Sequence, residues 1–162
     1  MKKKILQDIR SELEKLDFTI IEENSDRPWG GYFVLDELQA ERFAHTFFSD
    51  VNLSELYITG KLSPKMLVVS PGARLSWQYH LRRSELWQVY RGKVGVVRSN
   101  NDIEGELVHH AQGSQIRLAQ GERHRLVGLE DFGVVAEIWQ HTNEIPSDES
   151  DIVRIQDDYH RR

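Results

Sequence analysis

The glycine-framed run from Gly72 to His124 constrains this chain more than any other feature. Gly72, Gln78, His80, Glu85 and Gly92 fall in the frame G-x5-Q-x-H-x4-E-x6-G, and Gly113, Gly121 and His124 follow in the frame G-x5-A-x-G-x2-H. Side chains two apart on a strand point to the same face, so Gln78 and His80 share one, and in a small β-barrel that face is the interior. Glu85 follows the short stretch Leu81 to Ser84, which lets the chain turn and return a carboxylate from the neighbouring strand. His124 arrives from a later hairpin. Singly, His80 and His124 read as partly buried barrel residues and Glu85 as a solvated one. In register, Gln78, His80, Glu85 and His124 read as a metal site, a mixed nitrogen and oxygen set suited to zinc, manganese, iron, cobalt or nickel.

The flanks agree with a β-rich domain. Short runs at Lys65 to Val69, Leu75 to Tyr79, Glu85 to Tyr90 and Lys93 to Arg98 are punctuated by Pro71-Gly72 and Arg91-Gly92. Glu106 to His110, Ser114 to Leu118, His124 to Val127 and Val134 to Gln140 continue the pattern as a meander of antiparallel strands. Such spacing favours a sandwich or closed barrel over a parallel α/β sheet. Upstream, Ile5, Ile9, Leu13 and Leu16 recur at helical intervals, predicting an amphipathic helix over Lys3 to Leu16 that packs on the barrel or on a second subunit. The expected organisation is a helix and linker over residues 1–26 and one barrel domain over 27–162. Within the latter, residues 36–63 form an irregular insertion: Glu37 to Phe48 is helix-compatible, and Asn52 or Ser54 can cap a short helical turn.

At 162 residues one domain suffices. The 21 basic and 26 acidic residues leave a net charge of −5 with no basic cluster, which argues against nucleic acid as a partner. There is no cysteine, so an ion must be held by nitrogen and oxygen. No long apolar run marks a signal peptide or membrane span, and the expected location is cytoplasmic.

The two glycine-framed motifs resemble those of cupins, with Gln78 in place of the usual first histidine and Ala119 in place of the usual proline. Arg27-Pro28-Trp29-Gly30, the run Pro71 to His80, His124-Arg125-Leu126 and the tail Asp151 to Tyr159 narrow the resemblance to the isomerase domain of type II phosphomannose isomerases. It covers about Arg27 to Arg161. Leu81, Arg82 and Leu86 stand where that family often has histidines, and His160 where it usually has glycine; these departures are expected to reshape the pocket. The fold implied is a mainly β cupin-type jelly roll, or double-stranded β-helix, with an N-terminal α-helix and a minor helical insertion.

The chemistry implied is a metal-dependent interconversion of mannose 6-phosphate and fructose 6-phosphate through an enediol. Its cofactor is one divalent ion, zinc first, with manganese, cobalt, nickel or iron as alternatives. Glu137 is the first candidate base, because Val135, Glu137 and Trp139 alternate with Ala136 and Ile138, and a carboxylate in an apolar strand is costly unless used or paired. His109 and His110 are weaker candidates. For the phosphate, Arg125 and Arg74 are the matched family positions, with Arg82 and Arg83 as alternatives. Adjacent strand residues face opposite ways, so Arg125 reaches the pocket only if the chain bends after His124. Trp77, Tyr79 and Trp87 are candidates to line the cavity, though aromatic residues on barrel strands are more often core. The expected partner is a small sugar phosphate and the expected assembly a homodimer, with no nucleic acid and no membrane. Two other readings stand beside this one: an isomerase or epimerase of another phosphorylated or nucleotide-linked sugar, and a sugar-binding cupin without a working base.

Overall fold

All nine residues of the strand Gly133–His141 are buried, although a strand on the surface of a two-layer protein buries only alternate side chains. The computed structural model, which describes residues 1–56 and 60–161, shows what covers the second face. Helices α1 (Lys2–Lys15), α2 (Ala40–Phe47) and the short α3 (Leu53–Leu56) form a layer outside the sheet. Val134, Ala136 and Ile138 meet that layer, in a core with Leu6, Ile9, Leu13, Phe33, Phe43 and Phe47. Val135 points the other way, into a second core with Trp87, Val89, Val96 and Leu126.

The strands are β1 (Ile20–Arg27), β2 (Gly30–Leu35), β3 (Lys65–Val69), β4 (Trp77–Tyr79), β5 (Arg83–Arg91) and β6 (Lys93–Ser99). They continue as β7 (Leu107–Ala111), β8 (Gln115–Leu118), β9 (Arg123–Gly128), β10 (Gly133–His141) and β11 (Val153–Gln156). They form a six-stranded sheet in the order β1-β2-β3-β10-β5-β8 and a five-stranded sheet in the order β11-β4-β9-β6-β7. This is the expected mainly β jelly roll with an N-terminal helix. It corrects the expected meander, because most consecutive strands cross between sheets: β4 to β5, β5 to β6, β7 to β8 and β8 to β9 all change layer.

Three further expectations are corrected. The segment read as a linker carries β1, which pairs with β2 from Ile20 opposite Leu35 to Arg27 opposite Gly30. Leu16 lies past the end of α1 and is 40% exposed, while Leu6 joins Ile9 and Leu13 on the buried face. Within the insertion, the stretch read as one helix is a 3-10 turn, Glu37–Gln39, leading into α2. The Asn52 cap is as expected: its side-chain oxygen accepts the Ser54 amide N–H at 3.1 Å at the start of α3. Among the described residues, no helix is long and apolar enough to cross a membrane.

The insertion is held by aromatic packing. Phe43 is fully buried, with ring centroids 4.7 Å from Phe47, 5.8 Å from Phe18 and 6.3 Å from Phe48. Phe43→Ala is expected to cost about 3–5 kcal/mol of unfolding free energy, read as a lower urea midpoint with an unchanged slope. A loss below about 1 kcal/mol would show that the helical layer is not packed as described.

Candidate metal centre and cavity

His80 stands one residue beyond β4, His124 on β9 and Glu85 on β5 of the opposite sheet, so the candidate centre bridges the two layers. One ligand-type atom of each lies within 4.8 Å of the others, and all three residues are buried. The crossover Leu81 to Arg82 makes this possible: it carries the chain from one sheet to the other, placing Glu85 across from His80 rather than beside it.

The tautomers follow from the hydrogen bonds. Nδ1 of His80 lies 2.7 Å from the carbonyl oxygen of Asp151, and Nδ1 of His124 lies 3.0 Å from that of Glu122. A carbonyl only accepts, so each Nδ1 carries a hydrogen and each Nε2 is left to face the interior. Nε2 of His80 points at Oε1 of Glu85, 2.9 Å away. Nε2 of His124 is buried without any hydrogen-bond partner, 3.9 Å from Oε2 of Glu85. Burial, partly offset by Glu85, pushes the pKa of His124 down to about 4, so its ring is neutral near pH 7. Burial alone would raise the pKa of Glu85, but His80 and Arg83 outweigh it and hold the carboxyl well below the usual range. A neutral imidazole and an ionised carboxylate converging on one point, with an orphaned Nε2 among them, is the donor set of a divalent cation.

Gln78 is placed by register directly opposite His124 and lines the adjoining cavity. Its side-chain oxygen accepts a 2.5 Å hydrogen bond from the Ser76 hydroxyl.

The cavity, of about 100 Å³, opens beside Glu85 and is walled by Trp29, Trp87, Trp139, Glu137 and Arg83. Glu137 is 5% exposed and its carboxylate accepts two indole N–H bonds, from Trp87 and from Trp139, each 2.8 Å. Burial and then the nearby charge of Glu85 push its pKa up to about 8. The Trp87 N–H also reaches Oε2 of Glu85 at 3.0 Å, so one donor ties both carboxylates together. The Arg83 guanidinium stacks 3.6 Å above the Trp139 ring and donates to Glu85 and to the Ser147 hydroxyl.

The other candidates lie elsewhere. Arg125 is fully buried, but its guanidinium is committed to the Leu75 carbonyl, Glu104 and Gln156; the chain does not bend after His124. Arg74 makes a bidentate pair with Asp158 at a half-exposed position, and Tyr79 packs under the Arg123 guanidinium. Neither lines the cavity, whereas Arg83 and Trp87 do. Trp77 donates to the carbonyl of Asp102, and His109 and His110 sit on the edge strand β7. Nor do the departures around the ligands reach the cavity wall, against expectation. Leu86 faces the helical core, Leu81 is 56% exposed and Arg82 turns towards Asp148 and the carbonyl of Pro146.

What sequence reasoning missed is the set of charges around the opening: Lys65, Glu149, Arg154 and Arg161 all line the cavity, as does Arg27. The signal was present in part, since Arg27-Pro28-Trp29-Gly30 and the tail both carried the resemblance and both border the cavity. Asp151 was missed as an orienting residue. Its carboxylate accepts the amide N–H groups of Leu81 and Arg82 at 3.0 and 2.9 Å, while its carbonyl orients His80.

Residues 52–157 match the sequence family described as Mannose-6-phosphate isomerase C-terminal. No curated protein sequence matches the chain. Among solved structures, the capsular polysaccharide assembling protein CapF from Staphylococcus aureus is similar, with a TM-score of 0.53 and 10% identity over 86% of this chain and 34% of that one. A chain from the crystal structures of the DMSP lyases RdDddP and RnDddQII gives 0.51 and 16%, covering 80% of this chain and 56% of its own. A Cupin 2 conserved barrel domain protein from Salinispora arenicola CNS-205 gives 0.43 and 21%, covering 49% and 62%. These likenesses are of fold, and the chain spans about half the length of the solved chains it resembles.

A pH dependence follows from His141, whose Nδ1 accepts the Ser147 amide N–H at 2.9 Å and whose Nε2 therefore donates to the Ser63 hydroxyl at 3.1 Å. Burial, with help from Lys61 and Arg83, lowers its pKa from 6.5 to about 4. The unfolded chain therefore binds a proton that the folded chain refuses between those values. This stability is complete above pH 6.5 and drains away as the pH falls towards about 4. The thermal midpoint of chelator-treated protein is expected to drop as the pH is lowered from neutral through that window, and less steeply in His141→Gln. Equal slopes in the two proteins would refute the assignment.

Proposed function

Because the chain belongs to the mannose-6-phosphate isomerase C-terminal family, we propose that it is a metal-dependent sugar-phosphate isomerase interconverting mannose 6-phosphate and fructose 6-phosphate. The observation that supports this best is that the His80, Glu85 and His124 centre borders, through Glu85, the cavity whose wall carries the buried carboxylate of Glu137. Gln78, His80, Glu85 and His124 would hold the ion, with zinc the first choice and manganese, cobalt, nickel or iron compatible with the same ligands. When bound, a divalent ion supplies Lewis acidity for the sugar carbonyl.

The chain's own residues supply the rest. Glu137 takes the proton from C2 of the aldose; the C–H electrons form the C1–C2 double bond, and the carbonyl electrons move to O1, which takes up the proton that O2 gives up. The C2–O2 carbonyl then forms as Glu137 returns the carbon-bound proton to C1, giving the ketose. Trp87 and Trp139 fix the carboxylate through both of its oxygens, so the same atom can serve C2 and C1 without rotating away. A carboxylate whose pKa is pushed up to about 8 is a stronger base than an ordinary one, as a carbon acid requires. Burial of this group against two indole donors favours a catalyst over a sugar-binding cupin, which has no use for an expensive buried base.

Glu137→Gln is expected to lower kcat for mannose 6-phosphate by about 10²–10⁴-fold while leaving the bound metal content unchanged. Turnover would be followed as fructose 6-phosphate by a coupled assay on metal-loaded protein, with Gln78→Ala/His80→Ala as the metal-deficient control. Absence of turnover in metal-replete wild-type protein would overturn the reading.

A further inference from the structure

Lys65 is a buried cation whose anionic partner sits largely in water. It opens β3 at 7% exposure, directly opposite Glu137 in the strand register, so it belongs to the same cavity wall as the base. Its Nζ lies 4.9 Å from the centroid of the Trp139 ring and 5.1 Å from that of Tyr32, two aromatic faces that fix the ammonium in place. It donates to Oε1 of Glu149 at 2.6 Å. Glu149 belongs to no helix or strand, and its side chain is 76% exposed against 9% for Lys65. The cation is built into the wall, whereas the anion reaches in from a loop.

Five cationic side chains line this cavity, Arg27, Lys65, Arg83, Arg154 and Arg161, against three carboxylates, Glu85, Glu137 and Glu149. Glu85 is committed to the metal centre and Glu137 to proton transfer. Glu149 serves neither. We propose that Lys65 anchors the phosphate of the sugar substrate and that Glu149 is an internal stand-in for that phosphate, displaced when substrate binds. The inference rests on the sugar-phosphate reading above and names the phosphate subsite of that same cavity.

The chemistry favours the exchange. A phosphate dianion carries more charge and more acceptor oxygens than a carboxylate, so it is the better partner for an ammonium already held between aromatic rings. Glu149, once released, returns to solvent, where an exposed carboxylate is well hydrated. Release also removes one of the three negative charges from the lining, so the cavity becomes more positive as the dianion enters. A neutral sugar cannot drive this exchange, and the pair thereby selects phosphorylated substrates.

The test is titration of inorganic phosphate into the full-length, metal-loaded protein by calorimetry, with chelator-treated protein as the control that separates binding at Lys65 from binding at the ion. Glu149→Gln lies at an exposed loop position and is expected to tighten phosphate binding roughly two- to fivefold. Lys65→Met is expected to weaken it about tenfold or more, and to abolish the gain from Glu149→Gln in the double variant. If Glu149→Gln leaves phosphate affinity unchanged or lowers it, or if the gain persists without Lys65, the proposal is overturned. That result would leave mannose 6-phosphate turnover, and so the isomerase reading, untouched. Conversely, phosphate binding governed by Lys65 and Glu149 in a protein with no isomerase turnover would uphold the subsite while removing the activity.

Discussion

Three electron-rich groups from two facing sheets converge in the interior, and the surrounding structure is organised to hold them there. Nε2 of His80, Nε2 of His124 and the carboxylate of Glu85 lie within 4.8 Å of one another at buried positions. Bringing such groups together is costly unless a cation joins them; the Arg83 guanidinium, which donates to Oε1 of Glu85 and lies 3.2 Å from Nε2 of His80, offsets part of that cost, and the fold enforces the rest. Two backbone carbonyls, those of Asp151 and Glu122, enforce it by taking the Nδ1 hydrogens and turning both Nε2 atoms inward. Asp151 is itself fixed by the Ser147 hydroxyl and the amides of Leu81 and Arg82, and β11 pairs with β4 beside it. The C-terminal segment is thus a structural part of the candidate metal centre, although it supplies none of the three converging side chains.

The helical layer serves the same end from outside. A sheet that carries Glu137, Glu85 and Lys65 on its inner face has fewer inward positions left for apolar burial. The outer face compensates: Leu86, Val134, Ala136 and Ile138 pack against Phe43, Phe47 and the buried stripe of α1. Burial of apolar area is not tied to one side of the sheet. The polar cavity and the helical insertion are therefore two sides of one arrangement.

This division also explains what was legible in the sequence. Strands punctuated by glycine were readable because each turn needs a backbone few residues adopt: Gly72, Gly92, Gly113 and Gly121 all have φ between 70° and 90°. The convergence of His80, Glu85 and His124 was readable because their spacing is tied to those turns. His160, standing where the resemblance implies glycine, has φ of 57°, the same requirement met by a residue that tolerates it less well. By contrast, β1 and β11 lie at sheet edges with few buried residues, so Ile20–Arg27 and Val153–Gln156 carry no alternation to read. Layer changes left no trace either, since a strand pairing with its neighbour and one crossing to the other sheet can have the same sequence pattern. Arg125 was an instructive case: alternation after His124 already argued against its reaching the pocket, and the structure follows alternation. Lys65 and Glu149 were invisible because a single charge at a strand start or in a loop has many ordinary explanations, and only their juxtaposition is informative.

The indole of Trp87 links the two halves of the candidate chemistry. Its one N–H is shared between Glu85 at 3.0 Å and Glu137 at 2.8 Å, so the carboxylate of the metal centre and the carboxylate proposed as base compete for a single donor. After burial, the charge of Glu85 is the largest influence raising the pKa of Glu137. A cation at the centre offsets that charge, and whatever draws Glu85 away from the indole strengthens the bond from Trp87 to Glu137. Both effects favour the ionised form of Glu137. Glu85 and Glu137 are therefore coupled through one shared hydrogen bond, so that a change of charge around Glu85 is transmitted to Glu137.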